Sequence, residues 1–151
     1  MSRLKYITEA ERSELMKKVK SSGTKGELLL GKILFSQGIR FRKNVKDLPG
    51  KPDFAIKKYK IAVFVDGEFW HGKDWEIRRA KLKKNRDYWI QKIERNMQRD
   101  IEVSKTLNEL DYKVFRIWAQ DVPKKGLDLA KEVRNFIQRE KQEIYHEGEH
   151  K

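Results

Sequence analysis

Apolar and polar residues recur along the chain with periods that predict four helices and four strands. Two segments begin with a threonine followed by a glutamate three residues later, which is typical of a capped helix start. Two others repeat apolar residues at helical spacing. These patterns predict helices over about 9–20, 24–37, 86–110 and 126–141. Alternating or wholly apolar runs predict strands at about 39–42, 53–58, 61–65 and 113–118.

The order of these elements predicts an α/β domain with a central mixed sheet of about four strands between layers of helices. A chain of 151 residues is long enough for one hydrophobic core and too short for two, so we expect a single domain over 1–151. Within it, residues 1–22 should form a basic helical arm, 72–86 an exposed basic loop and 142–151 a frayed polar tail.

The formal charge of +13, from 36 Lys and Arg against 23 Asp and Glu, indicates a polyanionic partner, and nucleic acid is the first choice. Basic residues are densest in 72–86, where we predict contacts to phosphates. They are Lys73, Arg78, Arg79, Lys81, Lys83, Lys84 and Arg86. The alternatives are a solvated charged surface and, for the whole chain, the lysine enrichment of a hot environment.

Composition and missing motifs exclude several classes of protein. The chain has no cysteine and three histidines, which excludes disulfides and thiolate zinc sites. No apolar run approaches the roughly 18 residues of a membrane span, and no signal-peptide pattern is present, so we expect a cytoplasmic protein without a membrane partner. The absence of GxGxxG, P-loop, HExxH and GxSxG motifs argues against nucleotide cofactors, zincins and serine hydrolases.

The segment 63–72 ends an apolar strand in a carboxylate, two aromatic residues and an imidazole. Asp53 opens the preceding strand after a turn that contains two prolines. Acids at neighbouring strand ends beside a histidine suit metal-assisted phosphodiester hydrolysis, so we predict Asp53 as a Mg²⁺ ligand and His71 as the general base. Asp66 and Glu68 alternate along the strand end and cannot both face one metal if the strand stays regular, so one should be structural.

Other features allow two interpretations each. Glu27 either completes the cap of its helix or supports the site. Asp100 lies near the apolar stripe of the long helix and either supports a site or marks the solvent-exposed edge of that stripe. The aromatic residues Phe69, Trp70 and Trp89 are either core side chains or part of a binding surface.

Taken in chain order, these residues resemble the very short patch repair (Vsr) DNA mismatch endonucleases, a branch of the PD-D/E-x-K nuclease fold. The similar region extends from about Arg12 to Trp118. The matching pieces are Arg12-Ser13 with Met16, Glu27, Leu48 to Phe54, Gly67, Phe69-Trp70-His71, Tyr88-Trp89, Lys92-Ile93, Asn96, Arg99-Asp100 and Val114 to Trp118. Each match is weak alone, and their common order is specific.

The resemblance implies a restriction-endonuclease-like sandwich and a Mg²⁺-dependent enzyme that nicks one strand of duplex DNA beside the T of a T:G mismatch. It implies Asp53 and the backbone carbonyl of Val65 as metal ligands, His71 as the residue that activates water, and Glu27 and Asp100 as supporting acids. The implied wedge side chains, which enter the base stack, are Met16, Phe69, Trp70 and Trp89. With Lys73, Arg78, Arg79 and the arm 1–22 they would contact DNA. We expect a monomer, with mismatch-repair proteins as candidate partners.

The chain departs from the family pattern at two places. Members often hold a structural zinc through Cys and His residues, and because the positions here are Glu68, Lys73, Trp75 and Gln120, we expect no structural zinc. Asp66 stands where the best-known pattern has a histidine. The site therefore gains a carboxylate that either binds the metal or orients His71 differently.

Two competing hypotheses remain open at this point. A nuclease of the same fold but other specificity, such as a strand-nicking or restriction-type enzyme, would share the scaffold. A catalytically silent DNA-binding module would keep the basic surface, although binding alone requires neither Asp53 nor His71.

Overall fold

The computed structural model describes the backbone of residues 24–149 and the side chains of residues 24–144. Its elements are helix α1 (Lys25–Ser36), strands β1 (Arg42–Lys43), β2 (Phe54–Ile56) and β3 (Ile61–Asp66), helices α2 (Trp75–Lys81) and α3 (Arg86–Glu109), strand β4 (Lys113–Trp118) and helix α4 (Val122–Glu149). Short 3₁₀ helices, Lys57–Tyr59 and Ala119–Asp121, precede β3 and α4. The predicted helix over 9–20, the arm 1–22 and Met16 lie outside the described residues.

The four strands form one mixed sheet in the order β1, β2, β3, β4. The first two pairs are antiparallel, and β3 and β4 are parallel. A parallel pair requires a long crossover, which the segment containing α2 and α3 provides. Strand β3 is buried along almost its whole length, as its apolar sequence predicts for a central strand. The prediction of a mixed sheet of about four strands is confirmed.

The side chains of β3 alternate between two layers of helices. Val63 points into the larger core, which α1 and α4 cover, whereas Phe64 packs with Leu107 of α3 on the opposite face. The same alternation puts Asp66 on the α3 side, and Arg116 of β4, which pairs in register with Phe64, lies there too. This layering is that of the restriction-endonuclease-like sandwich, and it carries charged residues toward α3.

Helix α1 begins and ends with local signals that the sequence contains. Thr24 Oγ1 accepts a hydrogen bond from the Glu27 backbone N–H at 3.3 Å, which caps the first turn. Gly38 has a left-handed φ of 75° and follows the last turn. The Ile39 N–H then donates to the Leu34 carbonyl at 3.1 Å, as in a Schellman motif. Ile39 therefore closes the helix, and β1 starts three residues later than predicted.

The expected basic loop over 72–86 is wrong in part, because Trp75–Lys81 forms helix α2. Trp75 Nε1 donates to Glu94 of α3 at 3.3 Å, and Arg78 Nη2 donates to the buried Glu68 at 3.4 Å. These two contacts stabilise a short helix that the charge-rich sequence did not predict. None of the α2 residues is buried, so the segment still presents its basic side chains at the surface.

Helix α4 is longer than predicted at both ends. It begins at Val122 instead of 126, because Pro123 is tolerated in a first turn, where its missing N–H would have no helical partner. It continues to Glu149, so the expected frayed tail over 142–151 is wrong as far as the structure describes that tail. Three of the eight residues in 142–149 are glutamate, whose intrinsic preference for the helix favours this extension.

The helical spacing of apolar residues predicts burial for Leu28 and Ile101, but the structure exposes both. Leu28 of α1 is 51% exposed and Ile101 of α3 is 64% exposed, because each lies off the face that its helix turns to the sheet. The buried residues of α3 are Ile93 and Leu107, and Leu107 packs against the sheet with Val103 beside it. Within 24–149, no helix combines the length and apolarity that a membrane crossing requires.

Candidate active site

Asp53 lies immediately before β2, beside the end of the central strand β3. Its Oδ2 accepts a hydrogen bond from the backbone N–H of Val65 at 2.7 Å, which anchors the carboxylate. Burial raises the pKa of Asp53 to about 7, an effect that this hydrogen bond opposes and the charges of Glu27 and Asp66 reinforce. A carboxylate that is buried among other carboxylates strongly favours a nearby cation.

Glu27 contributes to this acidic group from α1. It is only 4% exposed, and its charge raises the pKa of Asp53, so the two carboxylates lie within electrostatic reach. Its backbone N–H is capped by Thr24 at the same time. The two interpretations of Glu27 are therefore compatible, because its backbone belongs to the cap and its carboxylate acts on the site.

His71 is held by Asp100 of α3. Its Nδ1 lies 2.5 Å from Asp100 Oδ2 and 3.8 Å from Asp66 Oδ1. A carboxylate accepts, so Nδ1 donates the proton, and in the neutral imidazole Nε2 carries the lone pair. Burial lowers the pKa of His71, but the Asp100 hydrogen bond and the charges of Asp66 and Asp100 outweigh it and raise the pKa above 6.5. This geometry favours the supporting role for Asp100.

Asp66 ends β3 on the side of α3 and is 7% exposed. Arg116 Nη1 lies 3.1 Å from each of its carboxylate oxygens. Burial raises the pKa of Asp66, and the positive charges of Arg116 and His71 oppose that rise. The Asp66 carboxylate, by which this site differs from the best-known pattern, is thus paired with Arg116. It lies beside the imidazole of His71 and acts on it.

Glu68 belongs to a different cluster from Asp66. Its buried carboxylate lies 3.9 Å from Lys73 Nζ and 3.4 Å from Arg78 Nη2, and Lys73 also lies 3.8 Å from Asp121. These ion pairs connect the segment after β3 to α2 and to the 3₁₀ helix before α4. Of the two acids near the end of β3, Glu68 is therefore the one whose contacts are structural.

The basic residues predicted to contact DNA differ in their surroundings. Lys73 and Arg78 converge on Glu68, with side chains 26% and 38% exposed, so much of their charge is compensated within the protein. Arg79 is 51% exposed and pairs with Glu94 at 3.6 Å. Because exposed ion pairs are weak, Arg79 is the most available of the three for a phosphate.

Phe69, Trp70 and Trp89 form a half-buried aromatic cluster. Their ring centroids lie 5.4 to 5.8 Å apart, with edge-to-face geometry. Asn96 Nδ2 donates to the Trp70 carbonyl at 3.2 Å and ties the segment to α3. None of the three aromatic residues belongs to the two hydrophobic cores, which favours the binding-surface interpretation over the core interpretation. His71 follows directly in the chain.

Among residues 24–149, no three His, Cys, Asp or Glu side chains converge as a ready metal cage. Asp53 and the Val65 backbone are nevertheless adjacent, through their 2.7 Å hydrogen bond, and both carry oxygen donors. Mg²⁺ keeps several waters and needs only one or two carboxylates from the protein. The raised pKa of Asp53 reflects burial together with an excess of negative charge at this point. The residues present therefore fit a hard divalent cation.

Arg116 is a site residue that the sequence patterns did not predict. Besides Asp66 it contacts Ser104 of α3, whose Oγ accepts from Nε at 3.2 Å. The available signal was a basic residue in the middle of the largely apolar strand 113–118. Such a charge requires a partner when the strand packs, but the sequence does not identify the partner.

An open mixed sheet with carboxylates and an imidazole at the end of its central strand, beside a basic surface, defines a restriction-endonuclease-like nuclease. The comparisons with known proteins then identify the family within this class. The model of the family described as DNA mismatch endonuclease Vsr matches residues 5–77.

Several similar proteins extend over most of the chain. It is 52% identical over 136 residues to the Type II nicking enzyme V.NmeDIP of Neisseria meningitidis serogroup C, which covers 90% of this chain and 91% of that protein. It is 47% identical to the Type II nicking enzyme V.HpaIIP of Haemophilus parainfluenzae, over 87% and 94%. Identity to the DNA mismatch endonuclease Vsr of Escherichia coli K12 is 32%, over 73% and 70%.

The chain belongs to the Vsr family and is a DNA endonuclease that nicks its substrate. The predicted family, the endonuclease activity and the DNA substrate are confirmed. The hypothesis of a catalytically silent DNA-binding module is thereby set aside.

Proposed function

We propose that this endonuclease uses Mg²⁺ and nicks one strand of duplex DNA beside the T of a T:G mismatch. The observation that carries the proposal is the continuity of Phe69, Trp70 and His71, which makes the candidate wedge and the candidate base consecutive residues. Asn96 and Asp100, one turn apart on α3, hold the Trp70 carbonyl and the His71 ring. An inserted wedge would thus fix the distance from the mismatch to the cleaved bond.

The aromatic cluster supplies the physical basis for recognising a mismatch. Apolar side chains that enter a base step offset unstacking of a few kcal/mol by gaining contact with the bent duplex. A mismatched step resists unstacking less than a paired one, so the same wedge is expected to favour mismatched DNA. Because Phe69, Trp70 and Trp89 are half-buried and mutually packed, the wedge is held in place before DNA arrives.

His71 is suited to deprotonate the attacking water. With Nδ1 donating to Asp100, Nε2 is the acceptor and lies on the side of the ring away from that carboxylate. Asp100 stabilises the imidazolium that forms when Nε2 takes the proton. The raised pKa of His71 makes its imidazole a stronger base for the water proton.

Asp53 and the backbone carbonyl of Val65 would hold Mg²⁺, with Glu27 adding negative potential. When bound, Mg²⁺ would neutralise charge on the attacked phosphate. The protein's own contribution is rigidity, since the Val65 N–H fixes the Asp53 carboxylate at the strand end. Asp66 is paired with Arg116, so we assign it to the surroundings of His71 rather than to the metal.

A second candidate is sequence-specific nicking that does not depend on a mismatch. The names of two similar proteins, Type II nicking enzymes V.NmeDIP and V.HpaIIP, state nicking and say nothing of a mismatch. Asp66 also distinguishes the catalytic surroundings from the best-known family pattern. The two candidates share every catalytic residue and differ only in the substrate that the wedge selects.

Matched duplexes distinguish the two candidates. Duplexes with randomised flanks should carry T:G, T:A, C:G or another mismatch at one central position, with a different fluorophore on each strand. Single-turnover cleavage is then followed in Mg²⁺ and in EDTA. We expect Mg²⁺-dependent cleavage of the T-bearing strand of T:G duplexes only, at a site beside the T.

Equal cleavage of T:G and T:A duplexes would reject mismatch specificity in favour of sequence-specific nicking. Cleavage that persists in EDTA would reject the metal requirement. We further propose that a single copy of the chain acts in the cytoplasm and that mismatch-repair proteins are its candidate partners. Sedimentation of the complex with a short T:G duplex tests the first point, since a dimer would carry twice the protein mass.

A further inference from the structure

Arg116 connects the three elements that surround His71. Nη1 donates to both oxygens of Asp66 at 3.1 Å, Nη2 donates to the backbone carbonyl of Asp100 at 3.4 Å, and Nε donates to Ser104 Oγ at 3.2 Å. Its guanidinium thereby links β4 and the end of β3 to α3. Every one of these contacts lies on the side of the sheet that carries the imidazole.

The guanidinium is also held by packing. Its central carbon lies 4.1 Å from the centroid of the Phe64 ring, and the side chain is 24% exposed. The guanidinium is planar, so it can stack on a ring and donate hydrogen bonds in three directions at once. This combination is specific to arginine. A lysine keeps the charge but has neither the fork nor the flat face, so it cannot reproduce this set of contacts.

Two carboxylates compete for the His71 proton. Asp100 Oδ2 is 2.5 Å and Asp66 Oδ1 is 3.8 Å from Nδ1. Only one of them can accept the Nδ1 proton, and the choice determines how the ring is turned. Arg116 donates to both oxygens of Asp66. It also donates to the backbone carbonyl of Asp100 and so fixes the backbone that carries the Asp100 carboxylate, the other possible acceptor.

We propose that Arg116 is a positioning residue for DNA cleavage: by retaining Asp66 and anchoring Asp100, it keeps His71 Nδ1 bonded to Asp100 and so sets the direction of Nε2. This role presupposes His71 as the base of the proposed mechanism. It applies whichever duplex the enzyme cuts, so it does not depend on T:G specificity.

The test compares two Arg116 variants with a matched arginine control. Arg116→Met keeps an unbranched aliphatic stem and removes the guanidinium that stacks on Phe64, and Arg116→Lys keeps the charge alone. Arg134→Met is the control, because Arg134 contacts Gln37 of α1, in the layer opposite α3. Single-turnover cleavage, DNA affinity and thermal unfolding are measured for each. The chain has three histidines, so the ring nitrogens of His71 can be observed by ¹⁵N NMR and assigned with His71→Ala.

We expect Arg116→Met to slow cleavage by roughly 10²-fold, the lower end of the range for loss of a general base. DNA affinity should change by less than about threefold, since the basic surface is intact. The His71 nitrogens should leave the Nδ1–H pattern of the wild type, Arg116→Lys should restore less than about a tenth of the rate, and Arg134→Met should behave as wild type.

Three results would overturn the proposal. One is a wild-type cleavage rate in Arg116→Met. Another is a slower rate with unchanged His71 nitrogen signals, which would assign Arg116 to stability alone. The third is full recovery in Arg116→Lys, which would make charge sufficient. If His71→Ala itself cleaved normally, the proposed base would be wrong, and the NMR comparison would still report whether Arg116 controls the ring.

Discussion

Replacing Asp53 by asparagine should stabilise the metal-free protein while abolishing cleavage. The substituted amide has the same shape as the carboxylate and can still accept the Val65 hydrogen bond, but it carries no charge. In the wild type, burial raises the pKa of Asp53 from its ordinary 3.8 to about 7. The folded state therefore binds the proton more tightly than the unfolded state, and ionisation of Asp53 disfavours folding.

The sign and size of the effect follow from this difference. As pH rises from about 4 to about 7, the unfolded chain ionises first, so the wild type loses stability over that interval. The pKa lies about three units above its ordinary value, and each unit corresponds to about 1.4 kcal/mol. The free energy of unfolding of Asp53→Asn should therefore exceed that of the wild type by on the order of 4 kcal/mol at pH 8 and by little at pH 4.

Urea unfolding from pH 4 to pH 8, in EDTA and then in Mg²⁺, measures these differences. Mg²⁺ should stabilise the wild type at neutral pH and leave Asp53→Asn unchanged, because a ligand stabilises only a fold that binds it. Asp47→Asn is the matched control. The pKa of Asp47 is lowered, chiefly by its hydrogen bond with Lys57, so any pH dependence that it contributes has the opposite sign.

A stability difference between wild type and Asp53→Asn that stays constant from pH 4 to pH 8 would contradict the raised pKa of Asp53. Equal stabilisation of both proteins by Mg²⁺ would show that the cation binds elsewhere. DNA affinity of Asp53→Asn should remain close to that of the wild type, because phosphate contacts to the basic surface dominate binding.

Further predictions concern the wedge, the base, zinc and a tight turn. His71→Ala should slow single-turnover cleavage by about 10²- to 10⁴-fold, whereas Trp70→Ala should reduce the preference for T:G over T:A duplexes by roughly 1 to 3 kcal/mol; the reverse pattern would exchange the two roles. Elemental analysis after EDTA dialysis should find no stoichiometric zinc, and a bound equivalent would contradict the ligand assignment. Gly72→Ala should lower the free energy of unfolding by more than Gly38→Ala. Both glycines have left-handed φ, but a Cβ at Gly72 would lie within 2.4 Å of Met97 Sδ and one at Gly38 meets nothing within 4 Å; equal losses in urea unfolding would contradict this.

The sequence alone determined the elements whose signals are local. The Thr24 cap, the Gly38 helix end and the apolar run of β3 depend on neighbours within a few residues, and the structure has each where the pattern predicts it. Asp53 and His71 were predicted as site residues from local signals too, since Asp53 directly precedes β2 and His71 lies in the turn that follows β3. The predicted limits of helices and strands were wrong where tertiary contacts outweighed local composition, as at α2.

Only the tertiary structure decided the partners of the site. Asp66 and Arg116 are 50 positions apart and His71 and Asp100 are 29 apart, so no local period relates them. They meet because β3 and β4 are parallel and in register, and because every second residue of each strand faces α3. The sequence shows a charge in the middle of β4 but not the direction it faces, since that depends on which strand lies alongside and which helix covers the sheet.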